Sequence, residues 1–78
     1  MSGKIPKRVQ INGQWFDANG WMGALELTAF GSPIRYKASE PFVHISSLYH
    51  VYDANGNKVG EFNTEHRTCS GCVTSFEV

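Results

Sequence analysis

Seventy-eight residues at 8.7 kDa fit one small domain, spanning 1–78. Seven Lys and Arg balance seven Asp and Glu, which argues against a broad basic face for duplex nucleic acid and against an acidic disordered tail. At 41% hydrophobic and 13% aromatic the chain can collapse, yet no apolar run approaches the roughly 20 residues of a membrane span.

The start MSGKIPKRV has no signal-peptide core, so the expected setting is the cytoplasm, with residues 1–6 as a flexible arm. A domain this short buries only about 60% of the surface its unfolded chain exposes. Good packing, a metal, a disulfide or a partner subunit must then support it.

Asn12-Gly13 is the first turn signal, because both residue types tolerate the positive φ of a type I′ hairpin. A two-residue loop there sets Ile11 against Gln14, Val9 against Phe16, and Arg8 against Asp17. An apolar pair and an opposite-charge pair thus fall where cross-strand neighbours attract. Asn19-Gly20 predicts a second hairpin, with Phe16 opposite Gly23 and Gln14 opposite Leu25. In this meander Val9, Ile11, Phe16, Leu25, Leu27 and Ala29 share the inner face. Arg8, Gln10, Trp15, Asp17, Met22, Glu26 and Thr28 share the outer one.

The stretch from Met22 to Phe30 is also rich in helix formers and ends before Gly31 and Pro33. A short helix near 21–30 is therefore the alternative, opposed by Gly20 and Gly23. Beyond Gly31-Ser32-Pro33, Ile34, Tyr36 and Ala38 are expected inward, and Arg35 and Lys37 outward. A long strand follows from Phe42 to Asp53, apolar on both faces and so central or doubly covered.

Asn55-Gly56 then predicts a third hairpin, pairing Asp53 with Lys58, Tyr52 with Val59, His50 with Glu61, and Tyr49 with Phe62. Residues 64–78 read as a C-terminal loop and tail with a short strand at Val73–Glu77. The expected fold is mainly β, a small antiparallel rolled sheet or barrel of five to seven short strands.

His66, Cys69 and Cys72 form the one compact cluster of metal-ligand types. Two thiolates and an imidazole could hold Zn²⁺, with His50, Glu61 or Glu65 as the fourth ligand. A second Cys pair, as in a zinc ribbon, is missing. His44 and His50 lie about 20 Å apart along a strand, too far to share an ion. A redox role for Cys-x-x-Cys requires a helix N-terminus at the first Cys, and no helical pattern follows it. In a reducing compartment a structural disulfide is not expected, so the two cysteines read as thiols or metal ligands.

Nothing points to an enzyme. His50 opposite Glu61 orients an imidazole, but Ser46 is about 13 Å along the strand from His50. No Gly-x-Ser-x-Gly, P-loop or His-Glu-x-x-His occurs. Trp15, Trp21 and Tyr36 near Lys4, Lys7, Arg8, Arg35 and Lys37 permit a single-stranded nucleic-acid reading, which Asp17, Glu26 and Glu40 dilute.

The leading expectation is a non-enzymatic module that docks on a larger protein. Trp15 and Met22 would be its apolar anchors, and Arg8, Arg35 and Lys37 its charged rim. Small occluding inhibitors fall in this class, including anti-CRISPR-type proteins of phages and mobile elements; that assignment rests on size alone. Homodimerisation through the same face is a variant. A zinc-stabilised domain is the alternative.

Overall fold

The computed structural model describes residues 5–21, 23–40 and 48–78, with no side chain given for Trp21. The described residues form eight strands and no helix. These are β1 (Arg8–Ile11), β2 (Gln14–Trp21), β3 (Ala24–Thr28), β4 (Arg35–Ser39), β5 (Leu48–Tyr52), β6 (Lys58–Asn63), β7 (Thr68–Gly71) and β8 (Val73–Glu77). All pairings are antiparallel in one sheet, in the order β7-β6-β5-β4-β3-β2-β1-β8, rolled nearly into a barrel. The mainly β expectation holds, and the helix near 21–30 is replaced by β3.

Alternation explains that outcome. Leu25 and Leu27 are buried and Glu26 is exposed, a period of two that a helix cannot satisfy. Period two also places Val9, Ile11, Phe16, Ala38, Tyr49, Val51 and Phe62 in the core, and a bulge in the β1–β8 pairing lets both Val73 and Phe76 join them. Each large apolar side chain so buried contributes roughly 1.5–3 kcal/mol. Tyr49 stacks on Phe62 at 5.1 Å, and Phe62 meets Phe76 at 5.1 Å. This aromatic file carries the core from β5 through β6 to β8.

The first hairpin has the expected register, Arg8 with Asp17 through Ile11 with Gln14. Asn12 (φ 53) and Gly13 (φ 84) occupy its turn. The second differs. Asn19 and Gly20 lie within β2, opposite Glu26 and Leu25, and the chain reverses beyond Trp21, which pairs with Ala24. A side chain at Gly20 would collide with the Ala24 carbonyl, so this glycine serves a close strand approach rather than a turn.

Moving the reversal by three residues moves each partner by six. That is an even number, so the inner and outer faces survive the error. In the third hairpin Tyr49–Phe62 and His50–Glu61 pair as expected, but a bulge puts Tyr52 opposite Lys58. Asp53 is drawn into the loop instead, where its Oδ1 accepts the amides of Asn55 and Asn57 at 2.9 Å.

The C-terminal segment is more ordered than a loop and tail. It contains β7 as well as the expected β8, and the chain changes partners at Cys72. The Cys72 amide donates to the Val59 carbonyl on the β6 side at 3.0 Å, while its carbonyl accepts from Asn12 N beyond β1 at 2.9 Å. One residue thus bridges the two ends of the sheet. Within the 1–6 arm Pro6 is buried, Ile5 is exposed, and residues 1–4 lie outside the described residues.

Candidate functional site

The registers sort the loops into two ends of the barrel. One end carries the turn at 12–13, the β3–β4 loop, the 53–57 loop and the Gly71–Cys72 corner. The other carries Gly23, Glu40 and the 64–67 turn.

At the first end the β3–β4 loop projects Phe30 and Ile34. Phe30 is fully exposed (105%) and Ile34 is 48% exposed. The loop is held at its base by Ser32 N donating to Ala29 O at 3.1 Å, and by Ile34 N donating to Ser32 Oγ at 3.2 Å. Gly31 takes φ 78 in open space. Alternation places Phe30 outward next to inward Ala29, directly before Gly31-Ser32-Pro33. That signal stands in the sequence, yet neither Phe30 nor an outward Ile34 figured among the expected contact residues. Ile34, expected inward, is exposed because the strand begins only at Arg35.

The outer face next to this end holds several residues expected at a partner surface. Asp17 pairs with Thr28 and Thr28 with Arg35. Trp15 precedes Asp17 by two residues along β2, on the same face and toward the Phe30 loop. It is half-buried, with the Arg8 guanidinium 4.9 Å above its ring.

Arg8 is also tied to Glu77, with Nη2–Oε2 at 2.7 Å and Nε–Oε1 at 3.1 Å. Those hydrogen bonds hold the Glu77 carboxyl below its ordinary range and raise Arg8. Arg8 is therefore a neutralised clamp over Trp15 rather than a free rim charge. Arg35 and Lys37 are exposed and make no ion pair among the described residues. Met22 lies outside the described residues.

A groove of about 590 Å³ lies over β3, β4 and the 53–57 loop. Glu26, Arg35, Lys37, Tyr52 and Asp53 line it, so two cations stand beside two carboxylates, and Ala54 and Gly56 keep one wall low.

The expected His50–Glu61 pair forms at 3.4 Å. Glu61 also accepts from Lys58 Nζ at 3.0 Å, and this bond is the main cause of its lowered pKa. Ser46 and His44 lie outside the described residues. The cluster is a surface ion network, and the nearby Ser70 side chain also lowers the Glu61 pKa.

Cys69 and Cys72 are free thiols, half-buried against the core. Burial raises the pKa of both, which disfavours the thiolate that metal binding and nucleophilic attack require. Cys69 stands opposite Phe62 while Cys72 bonds to Val59. His66 is exposed in the 64–67 turn, where its amide donates to Asn63 Oδ1 at 2.9 Å. Among the described residues no three His, Cys, Asp or Glu side chains converge.

At the opposite end the Tyr49 hydroxyl and Glu40 Oε2 are buried without a hydrogen-bond partner among the described residues. Burial raises both pKa values, and the neighbouring Glu40 charge adds to the Tyr49 shift. The Gly23 backbone opposes it from just outside hydrogen-bonding geometry.

The architecture is thus that of a small antiparallel near-barrel with one apolar loop tip. Compared with protein-family models, curated proteins and solved structures, the chain matches none of them. No helix among the described residues is long and apolar enough to cross a membrane.

Proposed function

We propose that this protein is a non-enzymatic docking module that works in the cytoplasm by occupying the surface of a larger protein. The observation that carries this reading is Phe30, an aromatic side chain held wholly in solvent on a hydrogen-bonded loop. Keeping such a ring in water forgoes roughly 1.5–3 kcal/mol of burial. A partner that encloses it recovers that free energy, and buried aromatic anchors dominate protein interfaces.

Ile34 extends the apolar tip, the Arg8-covered face of Trp15 flanks it, and Arg35 and Lys37 supply the polar rim. The anchor therefore moves from Trp15, the sequence expectation, to the loop. Trp15 becomes part of the supporting wall.

The test compares wild type, Phe30→Ser and Gln14→Ser as bait with lysate of the source cells, read by quantitative mass spectrometry. All three are expected to share one thermal midpoint, because the altered side chains are exposed. A species retained by wild type and Gln14→Ser but lost with Phe30→Ser supports docking. A retained set that Phe30→Ser leaves unchanged refutes it.

A further inference from the structure

An Asn-Gly pair carries a reactivity of its own beside its use as a turn. The glycine backbone nitrogen, once deprotonated, can attack the asparagine side-chain carbon Cγ, because glycine has no Cβ to obstruct the approach. The fold permits this where the glycine N–H is free of hydrogen bonds, the backbone can rotate toward the ring, and water has access. The chain has such pairs at Asn12-Gly13, Asn19-Gly20 and Asn55-Gly56, and the structure restrains them unequally.

Asn55-Gly56 is held by its loop. The Gly56 amide donates to the Asp53 carbonyl at 3.0 Å, and the Asn55 amide to Asp53 Oδ1 at 2.9 Å. The adjacent Asp53 carboxylate also opposes loss of a proton. Asn19-Gly20 lies within β2, where the pairs Asn19–Glu26 and Trp21–Ala24 pin the backbone on either side of Gly20. Asn12-Gly13 has neither restraint. Both residues are exposed, and the Gly13 N–H makes no backbone hydrogen bond among the described residues. Nothing lies within 4 Å of the position a Gly13 Cβ would take.

We propose that Asn12 is a site of spontaneous covalent modification, converted through a succinimide to aspartate and isoaspartate. The Gly13 nitrogen gives its proton to solvent and bonds to Asn12 Cγ; the Cγ–Nδ2 bond breaks, and Nδ2 takes up a proton and leaves as ammonia. Water then opens the ring. Addition at Cγ breaks the new Cγ–N bond and leaves aspartate. Addition at the Asn12 backbone carbonyl carbon breaks the original peptide bond, and the chain then runs through Cβ and Cγ as isoaspartate.

The two products differ in consequence. Aspartate tolerates the left-handed φ of 53 at residue 12 and keeps the N–H that donates to the Cys72 carbonyl at 2.9 Å. Isoaspartate adds a main-chain atom to the turn between Ile11 and Gln14, whose pairing belongs to the β1–β2 register. It therefore loosens the hairpin and the tie from β1 to the Gly71–Cys72 corner.

The test incubates the purified full chain at mildly alkaline pH, folded below its thermal midpoint and, in parallel, in guanidinium chloride. Peptide mapping with electron-transfer fragmentation follows each asparagine and tells aspartate from isoaspartate. In the folded chain Asn12 should convert about fivefold faster than Asn19 or Asn55, or more, the factor that one net hydrogen bond represents. In denaturant the three rates should converge. No conversion at Asn12, equal rates in the folded chain, or a lead for Asn12 that persists in denaturant overturns the assignment. The isoaspartate form, separated by chromatography, should melt below Asn12→Asp, which should match unaged wild type; an isoaspartate form with the wild-type midpoint overturns the link to closure.

Discussion

Closure at the Gly71–Cys72 corner makes a sharp prediction about three glycines. Gly71 takes φ 72, and a Cβ there would stand 2.6 Å from both Gly60 Cα and Val59 O. These are backbone atoms of β6, which cannot rotate aside. Gly60, its cross-strand partner, has no positive φ, but a Cβ would come within 2.9 Å of Ser70 O. Gly13 has φ 84 with nothing within 4 Å of its Cβ position.

The three sites therefore separate conformational strain from steric crossing. Alanine at Gly13 carries only the left-handed backbone cost of about 1–2 kcal/mol, partly offset by about 0.4–1 kcal/mol of reduced unfolded-state entropy. Alanine at Gly60 carries the overpacking cost, about 1–3 kcal/mol. Gly71→Ala carries both.

The expected gap between Gly71→Ala and Gly13→Ala is thus about 2 kcal/mol. For a domain of this size that corresponds to roughly 8–16 °C in thermal midpoint. It is a large share of a total stability on the order of 4–12 kcal/mol. Thermal and urea unfolding, followed by circular dichroism and tryptophan fluorescence, measure it. If Gly71→Ala unfolds at the same midpoint as Gly13→Ala, the two strands do not cross closely and the closure described above is wrong.

Other expectations concern titration and metal. Glu40 has a raised pKa in the folded chain, so the fold binds its proton more tightly than the unfolded chain does. Acidification through the folded pKa, down to the unfolded value near 4.3, should stabilise wild type relative to Glu40→Gln; a flat difference over that window contradicts it. Glu77 has the opposite sign, its lowered pKa arising chiefly from Arg8. Its contribution is present above the unfolded pKa and lost as pH falls through the folded one. Carboxyl NMR titration should show Glu77 moving upward in Arg8→Ala, and an unchanged midpoint would refute the ion pair. If Cys69 and Cys72 serve as thiols, a chelator should leave the thermal midpoint unaltered, whereas a zinc-dependent rise would show that they hold a metal.

Several pieces of the architecture were legible residue by residue. The register of the first hairpin followed from Asn12-Gly13 and from the pairing of Val9 with Phe16. The second hairpin misled because Asn-Gly reads as a turn wherever it occurs, and only the Ala24 carbonyl facing Gly20 shows the other use of a glycine. The bulge at Val51/Tyr52 was equally hidden, since Asp53 can either face Lys58 or cap its own loop. In the candidate site Arg35 and Lys37 were placed correctly outward. Arg8, expected opposite Asp17 and on the charged rim, is also tied to Glu77, 69 residues away in the chain and invisible to local pairing.

Side-chain alternation and turn chemistry act over a few residues, so the amino-acid order alone decides which groups face inward and where the first corner forms. Ring closure, neutralisation of Arg8 and the isolation of Phe30 in solvent depend on segments far apart in the chain. Only the folded barrel brings those segments together, or keeps a side chain beyond the reach of any of them, because such contacts follow from how the sheet rolls rather than from any local preference.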